Sequence, residues 1–194
     1  SGQEGRTLVI FFSDNGGPPR AVNGADNTPL RGAKGSPYEG GVRVPFLIAW
    51  PGRLAAGTTE DRPVSAIDVF ATTLGVAGVA MPTDRKYDSV NLIPFLTGEK
   101  TGAPHERLFW RNGAQLAVRE GKWKLVRGAG QPDELYDLAQ DIGETKDLAT
   151  ARLAVTARLA AALDAWNKEL IDPVFPGLSG RNANARKGDR NKNQ

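Results

Sequence analysis

Ser13-Asp14-Asn15-Gly16-Gly17 sets a carboxylate beside an amide oxygen directly after an apolar run. Both are hard oxygen donors suited to Ca2+, or less well to Mg2+, and the glycines let backbone approach a bound group closely. The same residues also form turns, each for its own reason, so a ligand reading and a turn reading both stand. Leu30-Arg31-Gly32-Ala33-Lys34-Gly35 frames a lysine with glycines. Such an ammonium can meet an oxyanion as a point charge, with backbone amides as further donors. A solvated loop lysine is the plain alternative. Tyr38-Glu39-Gly40-Gly41-Val42-Arg43-Val44-Pro45 reads as a forced turn supported by an ion pair.

The chain's omissions narrow the chemistry. Its 194 residues hold no cysteine and one histidine, which excludes disulfides, thiolate zinc, a cysteine nucleophile and a multi-histidine metal site. That histidine, His105, has no evident partner for general-base work and reads as a surface or packing residue. A 40% hydrophobic and 24% charged composition is that of a globular chain. No apolar run approaches the ~20 residues of a membrane span, so no membrane association is expected. The formal charge of +3 is uneven: residues 180–194 carry Arg181, Arg186, Lys187, Arg190 and Lys192 against Asp189, leaving the rest at −1. Without interleaved aromatics, this tail reads as a solvated terminus and not as a nucleic-acid interface.

The elements that must position these groups fall into two blocks. Thr7–Phe12 is a continuous apolar run of the kind buried on both faces of a parallel sheet. Asp14 and Asn15 then lie at its carboxyl end, where open α/β sheets place ligands. Residues 16–41 form a long loop without period, and strand character returns at Val42–Trp50. Ser65 and Asp68 have capping-box spacing, Ile67, Phe70, Leu74 and Ala77 make a helical stripe, and Gly78 closes it. Leu92–Leu96 suggests a short helix ended by Gly98. Leu108–Trp110, Gln115–Arg119 and Trp123–Arg127, split by Asn112-Gly113 and Glu120-Gly121, predict an antiparallel meander, with Leu135–Leu138 as an edge strand. A last helix spans about Thr150 to Ile171, its apolar face made by Val155, Leu159, Leu163, Trp166 and Leu170. Trp110, Trp123 and Trp166 read as core of this second block, whereas Trp50, at a strand end, is open.

Taken in order, the Asp14–Asn15, Lys34 and Tyr38–Pro45 motifs resemble the type I sulfatases of the alkaline-phosphatase superfamily. Ala117-Val-Arg-Glu-Gly-Lys-Trp-Lys-Leu125 and Glu134-Leu-Tyr-Asp-Leu138 are similar to that family's C-terminal subdomain. The resemblance implies an α/β fold: a partial alkaline-phosphatase-like sheet over residues 1–103, then a small antiparallel sheet with one packed C-terminal helix over 104–172, then a basic tail over 173–194. It implies that Asp14 and Asn15 are Ca2+ ligands, that Lys34 binds sulfate, and that the substrate is a sulfated small molecule or glycan.

The family's nucleophile, a formylglycine made within Cys/Ser-x-Pro-x-Arg, has no counterpart in these residues; Gly16-Gly17-Pro18-Pro19-Arg20 matches the spacing but has no side chain to oxidise. The expectation is therefore a C-terminal portion of a sulfatase, inactive alone, binding Ca2+ weakly. It should need the formylglycine-bearing N-terminal half, or self-association, to cover its apolar strand. A periplasmic or extracellular location follows by resemblance only. A phosphoryl or phosphonate hydrolase of the same superfamily and a non-catalytic binding module are the rival readings.

Overall fold

The structure, a computed structural model, describes residues 2–172; the basic tail lies outside them. The chain begins with a short 3-10 turn at Glu4–Arg6 and strand β1 (Val9–Phe12). One-turn helices α1 (Arg20–Asn23) and α2 (Glu39–Val42) lie in the long loop that leads to β2 (Phe46–Ala49). Helices α3 (Asp68–Ala77) and α4 (Ile93–Leu96) follow, then strands β3 (Leu108–Asn112), β4 (Gln115–Glu120), β5 (Trp123–Arg127) and β6 (Asp133–Asp137), and finally α5 (Leu153–Lys168). No helix among the described residues is long and apolar enough to cross a membrane.

The first block departs from expectation in its pairing. Among the described residues β1 pairs only with β2, antiparallel, with Val9 opposite Ala49 and Phe12 opposite Phe46. A strand forms within Thr7–Phe12, but its predicted parallel pairing and burial on both faces are not formed among the described residues. Burial alternates along both strands, and Val9, Phe11 and Leu47 remain 54%, 64% and 58% exposed. The reason is coverage, since no described element packs on that face. Phe12 and Phe46 stack on the opposite face at 5.5 Å. Val42, read as strand, instead ends α2, and β2 starts only after Pro45.

Helix α3 forms where its spacing placed it and ends at Gly78 in the left-handed conformation, φ +68, which a glycine adopts without strain. Its buried face is not the expected apolar stripe. Ile67 and Phe70 are exposed, and the residues turned inward are Asp68, Ala71 and Thr72. Polar bonds to the segment that returns over the helix decide this. Ser89 Oγ accepts the Ala71 N–H (2.8 Å), Asp68 Oδ1 accepts the Val90 N–H (2.9 Å), and Thr72 Oγ1 accepts the Leu92 N–H (3.0 Å).

The meander forms as predicted, in the order β3-β4-β5-β6 with every pair antiparallel. Gly113, with φ +60, and Gly121, with φ +55, each open a two-residue loop, the backbone that suits a tight hairpin. Leu116, Val118, Leu125 and Leu135 face α5, which buries Leu159 and Leu163 against them. Phe109 and Trp166 stack there at 4.9 Å. Ala117, Val126 and Tyr136 form the other face, with Trp110 and, from the first block, Tyr38. Both faces are thus covered, so the inner strands are buried at successive residues instead of alternate ones. Helix α5 is shorter at each end than its periodicity suggested, and Leu170 lies beyond it, partly exposed. Trp50 Nε1 donates to the Gly5 carbonyl (3.1 Å).

Candidate functional site

The three motifs meet at one backbone junction. Beyond β1, Ser13 N–H donates to the Pro45 carbonyl (3.3 Å) and Gly16 N–H to the Gly41 carbonyl (3.0 Å). Gly40 N–H donates to the Arg31 carbonyl (2.7 Å), and Lys34 N–H to the Gly17 carbonyl (2.9 Å). Asn27 ties the loop across, accepting the Gly17 N–H and donating to the Gly17 carbonyl, both at 3.0 Å. Glycine is required here for closeness. A Cβ on Gly16 would fall 1.7 Å from the Gly40 carbonyl oxygen, and one on Gly41 would fall 2.1 Å from that of Ser36. Main chain from all three motifs is therefore in direct contact.

Asp14 is exposed, Asn15 is half-buried with its carbonyl accepting the Ser13 hydroxyl (2.8 Å), and Lys34 is exposed. The structure brings the segments bearing Asp14–Asn15 and Lys34 together through the Lys34–Gly17 bond. Two adjacent hard oxygens fit the chemistry of Ca2+ but fill few of its 6–8 positions. Among the described residues no three His, Asp or Glu side chains are grouped as a metal set.

Beneath the junction lies a charged cluster. Lys124, the second residue of β5, is fully buried; its Nζ donates to Glu39 Oε1 (2.7 Å) and lies 3.0 Å from Glu144 Oε1, in ion-pair contact but outside hydrogen-bond geometry. Glu144 Oε2 accepts the Glu39 backbone N–H (2.7 Å). Arg43 and Arg119 approach Glu39 Oε2 at 3.7 and 3.9 Å. Burial pushes the Glu144 carboxyl above the usual glutamate range, and Lys124 and the Glu39 N–H oppose it. Sequence reading anticipated an ion pair for the Glu39 turn; it missed that the principal cation is Lys124, 85 residues away.

Arg31, from the lysine motif, joins the same sheet. It donates to the Tyr136 hydroxyl (2.6 Å) and the Glu144 carbonyl (3.1 Å), and its guanidinium lies 3.9 Å from the Tyr38 ring centre. Tyr38 and Tyr136 hydroxyls both donate to Glu134 Oε2, at 2.6 and 2.7 Å. Burial, then the Glu134 carboxylate, pushes the Tyr38 phenol up to about 12 and raises that of Tyr136 as well. His105 has the partner its sequence did not show. Its Nε2 lies 2.8 Å from Asp68 Oδ2, which also accepts the Ser65 N–H (2.7 Å), the bond the capping-box spacing predicts. The Asp68–His105 pair is buried and belongs to the α3 packing, not to the junction of the motifs.

Comparison with known proteins follows the same residues. The sulfatase family model matches residues 1–79. Mus musculus steryl-sulfatase is 39% identical over 180 residues, a match covering 73% of this chain and 29% of that protein. The crystal structure of Ps i-CgsB superposes with a TM-score of 0.83 at 31% identity, over 95% of this chain and 41% of that one. Phosphonate monoester hydrolase of Agrobacterium radiobacter superposes at 0.64 with 27% identity, over 87% of this chain and 36% of that one. The chain thus spans 29% of the curated relative's length and 41% of the Ps i-CgsB chain. Together these similarities identify in this chain a sulfatase-family domain of the alkaline-phosphatase-like fold.

Proposed function

We propose that this chain is part of a sulfate-ester hydrolase, in which Asp14 and Asn15 supply oxygen ligands to a Ca2+ ion and Lys34 holds the sulfate group. The observation that carries this reading is the junction itself: Gly16, Gly40 and Gly41 lock the segments bearing Asp14–Asn15 and Lys34 into one backbone contact. A divalent cation, when bound, supplies charge stabilisation at a sulfate oxygen. Lys34 adds a second positive charge, which is worth more as negative charge gathers on the departing ester oxygen than in the ground state. The Asp14 carboxylate contributes charge and the Asn15 side-chain amide oxygen a neutral ligand, and the glycines beside them keep the backbone close.

The reacting nucleophile is a formylglycine on a segment other than these residues, which contain no Cys/Ser-x-Pro-x-Arg. The chain alone is accordingly inactive. The exposed face of Val9, Phe11 and Leu47 is where that segment, or a second copy of the chain, packs. The substrate is a sulfated small molecule or glycan; the relative Ps i-CgsB has been solved with k-i-k-neocarrahexaose. Export to the periplasm or cell exterior belongs to this reading on resemblance alone. The similarity to a phosphonate monoester hydrolase supports a second reading, hydrolysis of phosphonate or phosphate esters at the same groups.

The test is a comparison of esters in a protein that carries this chain together with the formylglycine segment. Lys34→Ala should lower kcat/KM for an aryl sulfate by about 100-fold, the scale of losing a charge-stabilising donor. Preference for a phosphonate monoester would favour the second reading, and aryl-sulfate turnover by the 194 residues alone would refute the division of labour.

A further inference from the structure

The buried Lys124–Glu39–Glu144 cluster has no part in the proposed chemistry, yet it holds the turn on which the site is built. Glu39 is gripped twice, by Lys124 through its side chain and by Glu144 through its backbone N–H. Glu144 does this from a left-handed backbone, φ +53, which a non-glycine residue keeps only where surrounding bonds enforce it. Its own turn is organised by Asp141, whose carboxylate accepts the Thr145 and Lys146 N–H groups, both at 2.8 Å. Replacing buried ion pairs by apolar residues is often neutral or stabilising, so stability alone does not account for three charges in one core.

The residues after Glu39 transmit the grip. Gly40 N–H bonds the Arg31 carbonyl, and the Gly41 carbonyl accepts the Gly16 N–H. Asp14–Asn15 precedes Gly16 directly, and Lys34 follows Arg31 by three residues. We infer that Lys124 and Glu144 are positioning residues: from the meander sheet they fix the Glu39–Gly41 turn, and through it the relative placement of Asp14–Asn15 and Lys34. The inference rests on the roles proposed for those three residues, and it makes the sheet a working part of the site.

The double variant Lys124→Met/Glu144→Leu tests it. One positive and one negative charge leave together, and Glu39 keeps Arg43 and Arg119 beside it. In the protein that carries this chain together with the formylglycine segment, hydrogen–deuterium exchange is followed in peptides covering residues 13–18 and 31–41, with β4 and α5 as internal references, and Ca2+ affinity is measured by calorimetry. Exchange in the two site peptides should rise about tenfold relative to the references, and Ca2+ affinity should fall. Unchanged site peptides, or a rise only in step with β4 and α5, would show a purely structural role and overturn the inference. If the double variant does not fold, Glu144→Gln decides: a rise of about threefold confined to the site peptides supports it, and none overturns it. Absence of Ca2+ binding in the unaltered protein would sink the metal role of Asp14 and Asn15, and the exchange result would still judge the positioning.

Discussion

Gly16→Ala strikes the contact on which the site depends. The added Cβ would meet the Gly40 carbonyl oxygen at 1.7 Å and its carbon at 2.8 Å, and both are backbone atoms with no rotamer to yield. The steric term therefore belongs near the upper end of overpacking costs, about 3 kcal/mol. Separating the strands of main chain also weakens the Gly16–Gly41 hydrogen bond, adding about 1 kcal/mol. A less flexible unfolded chain returns about 0.5–1 kcal/mol. The net loss is about 3 kcal/mol. With a urea slope of about 2 kcal/mol per molar, the unfolding midpoint should fall by about 1.5 M. Gly5→Ala is the control, because its Cβ would find nothing closer than the Pro51 oxygen at 4.0 Å. Equal midpoints for the two variants would refute the argument that main-chain contact binds the three motifs together.

Alkaline titration followed by tyrosinate absorbance should show Tyr38 and Tyr136 ionising well above pH 10 in the folded chain. All three phenols are raised: Tyr38 to about 12 and Tyr136 higher than usual by burial and Glu134, and Tyr87 by its bond to Asp84. Because the unfolded chain releases these protons first, stability should fall as pH rises from about 10 towards 12. Ionisation of all three phenols near pH 10 without denaturant would contradict the Arg31–Tyr38–Glu134–Tyr136 network. Asp68→Ala removes the acceptor shared by the Ser65 and Val90 N–H groups and His105, which should cost about 3 kcal/mol. At about 2–4 °C per kcal/mol, the melting temperature should drop by about 6–12 °C, and a drop below about 2 °C would refute the pairing.

Local patterns were legible wherever the physics was local. The two-residue hairpin loops need glycine at positive φ, and Gly113 and Gly121 announce them. The spacing of Val155, Leu159 and Leu163 turns one face of α5 inward, and that face is buried. The stripe on α3 misled because an apolar period shows which side could be buried, not which side finds a partner. Ser89, Val90 and Leu92 bind the opposite side through polar groups that periodicity does not register. The exposure of Val9 and Phe11 fits the expected need for a further segment over this strand, because coverage depends on what else is present; only the parallel pairing read for Thr7–Phe12 differs.

The amino-acid order by itself established the meander, its covering helix and the three glycine-rich motifs, because turn chemistry and side-chain period act over a few residues. Only the folded chain decided that Lys124 would answer Glu39, that Glu144 would hold a backbone N–H 105 residues away, and that His105 would face Asp68. A buried charge is tolerated when its partner arrives from a distant segment, and nothing beside a lysine in a strand reveals which segment that will be.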